Sequence, residues 1–513
     1  PIFRLAASAA NDTVDEDGKV NGIMYQEGLP LVDEGDYTFS IFCDDSSESG
    51  EFIMLDEFKK QTNVDVDLKI YPYETATERL NLDLNSGDYA DVIGGWTLSD
   101  NAILTYGVNQ GVFIPLEDYF EKYCPNISAI LDLPGVREKM TAPDGHIYTI
   151  PYVCGDTTVG YSPYINTKWL ENVGMSMPTT TDEFEAVLKA FKEQDANGNG
   201  DASDEIPFST DPNNKHIEAM AGYFGLPMNK LGIAIQDEKV VYGGVSNTYR
   251  EFLSWFHKLY ADGLVDVELY TQDSSTWEGK GNQDLYGVSI AYGSNEFTGI
   301  PAAEERGDFD SMPVLNTDKG GIWLRDTEGF SVYRTQAVIT NKAEHPEIIC
   351  RWFDNAFALE NGIGCNRGPV GVIVNKEDDG YHAIDTTTLS EEDQEKYSWG
   401  NLWPQSLPKY LPADFEFVEE HPMYDEKKAT EEAYEANLTK EIIPSYWIDL
   451  DKIDTFSDTN TAIKDFFEQQ QAQFVCGELD IDNDADWQAY VDGMYSLGLE
   501  DWVATQGIEE IAK

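Results

Sequence analysis

From Tyr37 the chain alternates: in YTFSIF (Tyr37–Phe42) large apolar side chains recur at every second position, the period of a half-buried strand. The polar run CDDSSESGE follows, and FIMLDEFKKQT then changes to the helical period. VDVDLKIY (Val64–Tyr71) predicts a second strand, residues 76–86 a second helix, and the short apolar ADVIGG (Ala90–Gly95) a third strand. This β-α-β-α-β order predicts a parallel sheet with right-handed crossovers. Ligands of such sheets gather beyond the carboxyl ends of the strands, which puts Asp44, Asp45 and Trp96 on a candidate rim. The competing reading is that the two acids cap the next helix and Trp96 packs in the core.

With 513 residues the chain exceeds what one hydrophobic core sustains, so two lobes are expected. Hydrophobic residues at 41% exclude general disorder. The 95 acids against 34 Lys and Arg give a net charge of −61, which repels nucleic acid and anionic membranes and mildly disfavours uronate oligomers as ligands. The six cysteines form no CxxC pair and no Cys/His cluster at metal spacing, which argues against zinc. No apolar run is long enough to span a membrane. The Asp-, Gly- and Asn-rich stretch within residues 1–35 predicts a flexible N-terminal tether, suited to a protein anchored at that end.

Three blocks carry a family resemblance. HIYTIPYVCGDTTVGYSPYINTKWLENVGMSMPTTTDEFEAVLKAFKE, from His146, holds a Tyr-x-x-Pro-Tyr-like strand, a tyrosine-rich strand ending in Asn and a Thr-rich cap before a long helix. AVITNKAEHPEIICRWFDNAFALENG (Ala337–Gly362) and DADWQAYVDGMYSLGLEDWVATQ (Asp484–Gln506) supply a strand–helix unit and closing helices. Together they resemble the extracellular solute-binding proteins of carbohydrate ABC importers. The resemblance implies an α/β, two-lobed clamp, each lobe a mainly parallel sheet flanked by helices, with extra C-terminal helices. The first lobe is expected over 36–155 plus 333–368 and the second over 156–330 plus 371–513, with crossings near 154–158, 328–333 and 364–370. It further implies a monomer on the extracellular face of the membrane, lipid-anchored through an N-terminal anchor, or in the periplasm. Such a protein captures an oligosaccharide between its lobes and delivers it to the permease, with no catalysis of its own.

The most specific motif is DANGNGDASDE, residues 195–205. Oxygen-bearing Asp195, Asn197 and Asn199 alternate with small residues, Gly200 allows the sharp turn at the sixth position, Asp201 offers a carbonyl, and Ser203, Asp204 or Glu205 completes a shell for Ca2+. An EF-hand loop has its bidentate acid at position twelve, which here is Ile206, one residue beyond the acid. That departure resembles the single structural calcium loop of larger solute-binding proteins; a metal-free surface turn is the alternative.

Sugars call for aromatic platforms beside in-plane hydrogen-bonding groups. The candidates are Trp96, Tyr152 and Asp156; Tyr292, Ser294 and Asn295 after the strand LYGVSIAY; and Trp277, Trp323, Arg325, Trp399, Asn401 and Trp403, whose Gly-, Asn- and Pro-rich surroundings predict exposure. A glycoside-active enzyme using a carboxylate pair is the other function considered. Against it, no GxSxG, HExxH, Walker or GxGxxG motif occurs, and 95 acids make carboxylate pairs inevitable.

Overall fold

In the computed structural model, which describes residues 12–45, 51–155, 157–211, 216–299, 308–412, 415, 417–418 and 422–512, the alternation at Tyr37 extends into a strand of eight residues. The strands that position the candidate sites are β1 (Tyr37–Asp44), β2 (Val64–Tyr71), β3 (Val92–Gly94), β4 (Thr149–Gly155), β5 (Ser162–Asn166), β6 (Ile206–Thr210), β7 (Tyr286–Ala291), β8 (Phe309–Ser311), β9 (Phe330–Ile339) and β10 (Tyr410–Leu411). Helices Ile53–Thr62 and Tyr73–Ser86 connect β1 to β2 and β2 to β3, the order that the periodicity predicts. Each ends on a residue in the left-handed conformation, Asn63 and Gly87, which lets the chain reverse into the next strand.

The chain divides into two compact units. The first comprises 1–156, 330–419 and 445–453, the second 157–329, 420–444 and 454–513. In the first, the sheet order is β10-β4-β9-β3-β1-β2. β1 pairs in parallel with β2 and β3, β9 runs antiparallel to both β3 and β4, and β10 is parallel to β4. Five strands therefore share one direction and one carboxyl edge. The core beneath includes Phe39, Phe58, Trp352 and Trp403. In the second unit the order is β8-β5-β7-β6, with β7 parallel to β6 and antiparallel to β5. Every side chain of β5 and β7 is buried, as both faces are covered. Helices Asp484–Ser496 and Leu499–Thr505 lay Trp487, Tyr490 and Trp502 into this unit's core.

Two boundaries differ from the sequence expectation. Residues 12–35 are no tether: Val20, Met24, Leu31 and Val32 are fully buried in the first unit's core, and Leu31 N–H donates to Thr62 O at 3.0 Å. Four apolar residues in an otherwise acidic stretch suffice to fold it onto the core; residues 1–11 lie outside the described ones. The segments 371–419 and 445–453 belong to the first unit rather than the second, so no crossing falls at 364–370. Trp403 and Leu407 are buried in that unit's core and β10 extends its sheet, which fixes the assignment.

Candidate functional site

The carboxyl edge of the first unit's sheet is aromatic. Tyr152 on β4 and Tyr333 on β9 are paired in register, and their rings stack at 5.5 Å and 18°. Trp96, just past β3, stands edge-on to Tyr333 at 5.3 Å and lies 6.5 Å from Tyr152. Trp96 is 45% exposed and Tyr333 36%, which leaves ring faces in water in spite of the hydrophobic cost. Behind them Lys409 is buried, its ammonium 5.3 Å from the Tyr152 ring and 5.8 Å from that of Trp399, which is 52% exposed. Burial holds the Lys409 ammonium down at about 8, and Lys409 donates to Gln405 Oε1 at 2.9 Å. The arrangement offers apolar platforms backed by a positive charge.

Asp44 and Asp45 build this edge from within. The Asp44 carboxylate accepts from Trp96 N (2.9 Å) and Thr97 N (2.6 Å), fixing the turn that presents Trp96. Burial raises its pKa and these bonds oppose the rise. Gly95 sits at φ +132°, and a Cβ there would come within 2.3 Å of the Asp44 carboxylate, so glycine is required. Asp45 accepts from Gln405 N at 2.7 Å. Neither acid merely caps the next helix, and neither side chain is exposed.

Burial also removes three tryptophans from the candidate set. Trp277 is 2% exposed and donates from Nε1 to Ser289 Oγ at 3.1 Å. Trp323 is 1% exposed, edge-on to Tyr434 at 5.5 Å, and Trp403 stacks on Trp352 at 5.7 Å. Trp277 sits on the helix Ser274–Asn282 and Trp323 and Trp403 in irregular segments, yet all three indoles are buried, so local composition misjudged exposure. Arg325 is bound to Thr439, donating from Nε to its carbonyl at 3.1 Å. Asn401 donates to Glu395 O at 2.9 Å, at the end of the helix Glu391–Lys396. Asp156 lies outside the described residues.

In the second unit the strand-end rule brings Tyr292 to the sheet edge, together with residues that the sequence did not single out. Lys427 Nζ lies 3.8 Å from the Tyr292 ring centroid and donates to the carbonyls of Gly160 (2.9 Å) and Tyr292. Glu426 accepts from Ser294 N (2.8 Å) and Ser294 Oγ (2.5 Å), so Ser294 is a buried structural bond. Asn295 opens the helical turn Asn295–Thr298. Glu426 and Lys427 come from the helix Pro422–Tyr434, whose charged sequence gives no sign that Lys427 is buried.

The loop 195–205 joins helix Thr181–Glu193 to β6 as a series of Asx turns. Gly200 N donates to Asp195 Oδ2 (3.0 Å), Asn199 N to Asn197 Oδ1 (3.0 Å), Asp201 N to Asn199 Oδ1 (2.7 Å) and Ala196 N to Glu205 Oε1 (2.8 Å). Ser203 is held by Asp201, and Asp204 takes the side-chain amides of Asn197 and Asn199. Asp195 Oδ1 and Glu205 Oε2 are buried without a hydrogen-bond partner among the described residues. A separate group, exposed Glu377 and Asp379 with His382 on the hairpin Val374–Ala383, also brings ligand atoms together, with His382 Nε2 3.0 Å from Asp379.

Residues 46–362 match the family described as bacterial extracellular solute-binding protein. The fructooligosaccharide ABC transporter substrate-binding protein FusA of Streptococcus pneumoniae serotype 4 is 32% identical over 381 residues, 72% of this chain and 69% of that one. The chain belongs to the bacterial extracellular solute-binding proteins. Members of this family bind solutes for transport and are not enzymes, which sets the glycoside-active reading aside. The structure of a FusA EF-hand mutant with fructo-nystose superposes with a TM-score of 0.78 at 27% identity, over 91% of this chain and 98% of that one. Lipoprotein LipO of Bacillus subtilis is 28% identical over 280 residues, 53% of this chain and 52% of its own. The fold is the two-lobed α/β architecture of solute-binding proteins.

Proposed function

We propose that this solute-binding protein is the oligosaccharide-binding component of an ABC importer. The exposed aromatic corner Trp96–Tyr152–Tyr333, at the carboxyl edge of the first unit's sheet, carries the reading. Flat ring faces there match the CH faces of sugars, and a relative named for fructooligosaccharides supports the ligand class. Calorimetric titration with fructooligosaccharides is expected to give saturable 1:1 binding. Heat from peptides with none from any oligosaccharide would overturn it.

We further propose that the loop 195–205 holds a structural Ca2+. The partnerless oxygens of Asp195 and Glu205 support this, as does the EF-hand named in the FusA mutant. Asp195, Asn197, Asn199, Asp201 and Glu205 would surround the ion, and its chemistry is to pin the end of the helix Thr181–Glu193 to β6. Attachment to the outer membrane face through a lipid accords with the lipoprotein relative, and we take the working state to be monomeric, which light scattering would check.

A further inference from the structure

The second unit carries a strand-end face of its own. Because Ser162 pairs with Ala291 and Ile290 with Thr210, the register carries Tyr161 and Tyr292 to opposite positions at one edge of the sheet, with Asp211 one step back beside Ala291. The Tyr161 ring stacks on His216 at 4.1 Å and 13° and meets Tyr292 edge-on at 6.1 Å. His216 has φ +45°, a conformation that non-glycine side chains rarely adopt, and its Nε2 is buried without a hydrogen-bond partner among the described residues. Around these rings are three acids. Asp211 accepts from Ser274 Oγ at 2.8 Å, Glu296 accepts from Tyr292 N at 2.9 Å, and Glu278 lies on the helix Ser274–Asn282.

We propose that this face is a saccharide subsite that takes uncharged sugars and rejects carboxylated ones, with Asp211, Glu278 and Glu296 setting the selectivity. The proposal rests on the oligosaccharide reading above. The rings supply the apolar platform and the carboxyl groups hydrogen-bond sugar hydroxyls. Burial above all pushes Glu296 up to about 7; the Tyr292 N–H and Lys427 oppose the rise, and Asp211 and Glu278 add to it. The three carboxyl groups outnumber the two ammonium groups nearby, Lys427 and Lys230. Lys427 is directed to the backbone carbonyls of Val159, Gly160 and Tyr292, and Lys230 acts on the His216 side. A uronate carboxylate would enter a partly desolvated field of its own sign, where charges are screened less than in bulk water.

Calorimetry with a neutral fructooligosaccharide and an oligogalacturonate of equal length, at low salt and in 0.5 M salt, tests this. The neutral sugar is expected to bind roughly tenfold or more tightly than the uronate, and salt narrows the gap. Glu296→Gln, Asp211→Asn and Glu278→Gln should each shrink the ratio by roughly three- to tenfold. Glu278 is exposed, so its variant keeps the test open if the others fold poorly. Equal affinities in the unaltered protein, or well-folded variants with an unchanged ratio, overturn the proposal while leaving the oligosaccharide reading intact. Failure to bind either saccharide overturns both.

Discussion

Tyr152 and Tyr333 face each other across adjacent antiparallel strands, with Trp96 closing the corner edge-on to Tyr333. β9 shows a register irregularity between Tyr333 and Ala337, beside which Arg334 is clamped by Asp100 and lies 4.1 Å over the Trp447 ring. The pair is thus held by strand register on one side and by a buried ionic anchor on the other. Fixed rings lose little entropy when a sugar settles on them.

Trp96→Ala and Tyr333→Ala are therefore expected to weaken oligosaccharide binding by about 1–2 kcal/mol each, read by calorimetry. The melting temperature should move little, because both rings are already partly in water.

Trp323→Ala should behave in the opposite way. Its indole is enclosed by Tyr223 and Tyr434, and truncation leaves a cavity worth about 3–5 kcal/mol of stability, measured by denaturant unfolding. Affinity of the surviving folded protein should be nearly unchanged.

That contrast shows what the sequence could and could not convey. β1 to β3 and their helices were legible because each is set by a local period and a short connection. The loop 195–205 was legible as a turn of oxygen-bearing side chains because its residues are contiguous. The fate of Trp277, Trp323 and Trp403 was not, since Ser289, Tyr434 and Trp352 reach them only through the tertiary fold. Lys427 was hidden for the same reason: a lysine in a run of charges looks solvated until the helix carrying it docks against Gly160 and Tyr292. Tyr161 could have been found by applying the strand-end rule to the start of β5, which runs antiparallel to its neighbours.

If the loop holds Ca2+, a chelator should lower the melting temperature and added Ca2+ should restore it, by mass action on the folded state. Asp195→Ala should abolish that response. Equal melting curves with and without chelator would leave the loop a turn.

Lys409 gives the last expectation. Its folded pKa of about 8 lies below the ordinary 10.5 because burial disfavours the ammonium, an effect that Arg367 reinforces and nearby Asp45 opposes. Between these two values the unfolded chain binds more protons at this site than the folded one, so stability attributable to Lys409 rises with pH from about 8 to about 10.5. Below pH 8 both states carry the charge and the burial cost is present in full. The difference corresponds to about 3 kcal/mol at most. Lys409→Met should remove this rise and be at least as stable near pH 7, since an apolar chain of similar length needs no desolvation. It should also weaken saccharide binding, because the cation faces the rings of Tyr152 and Trp399. Unfolding curves of the two proteins at pH 7, 8.5 and 10 decide it: parallel curves would mean that the amine is not buried as a cation.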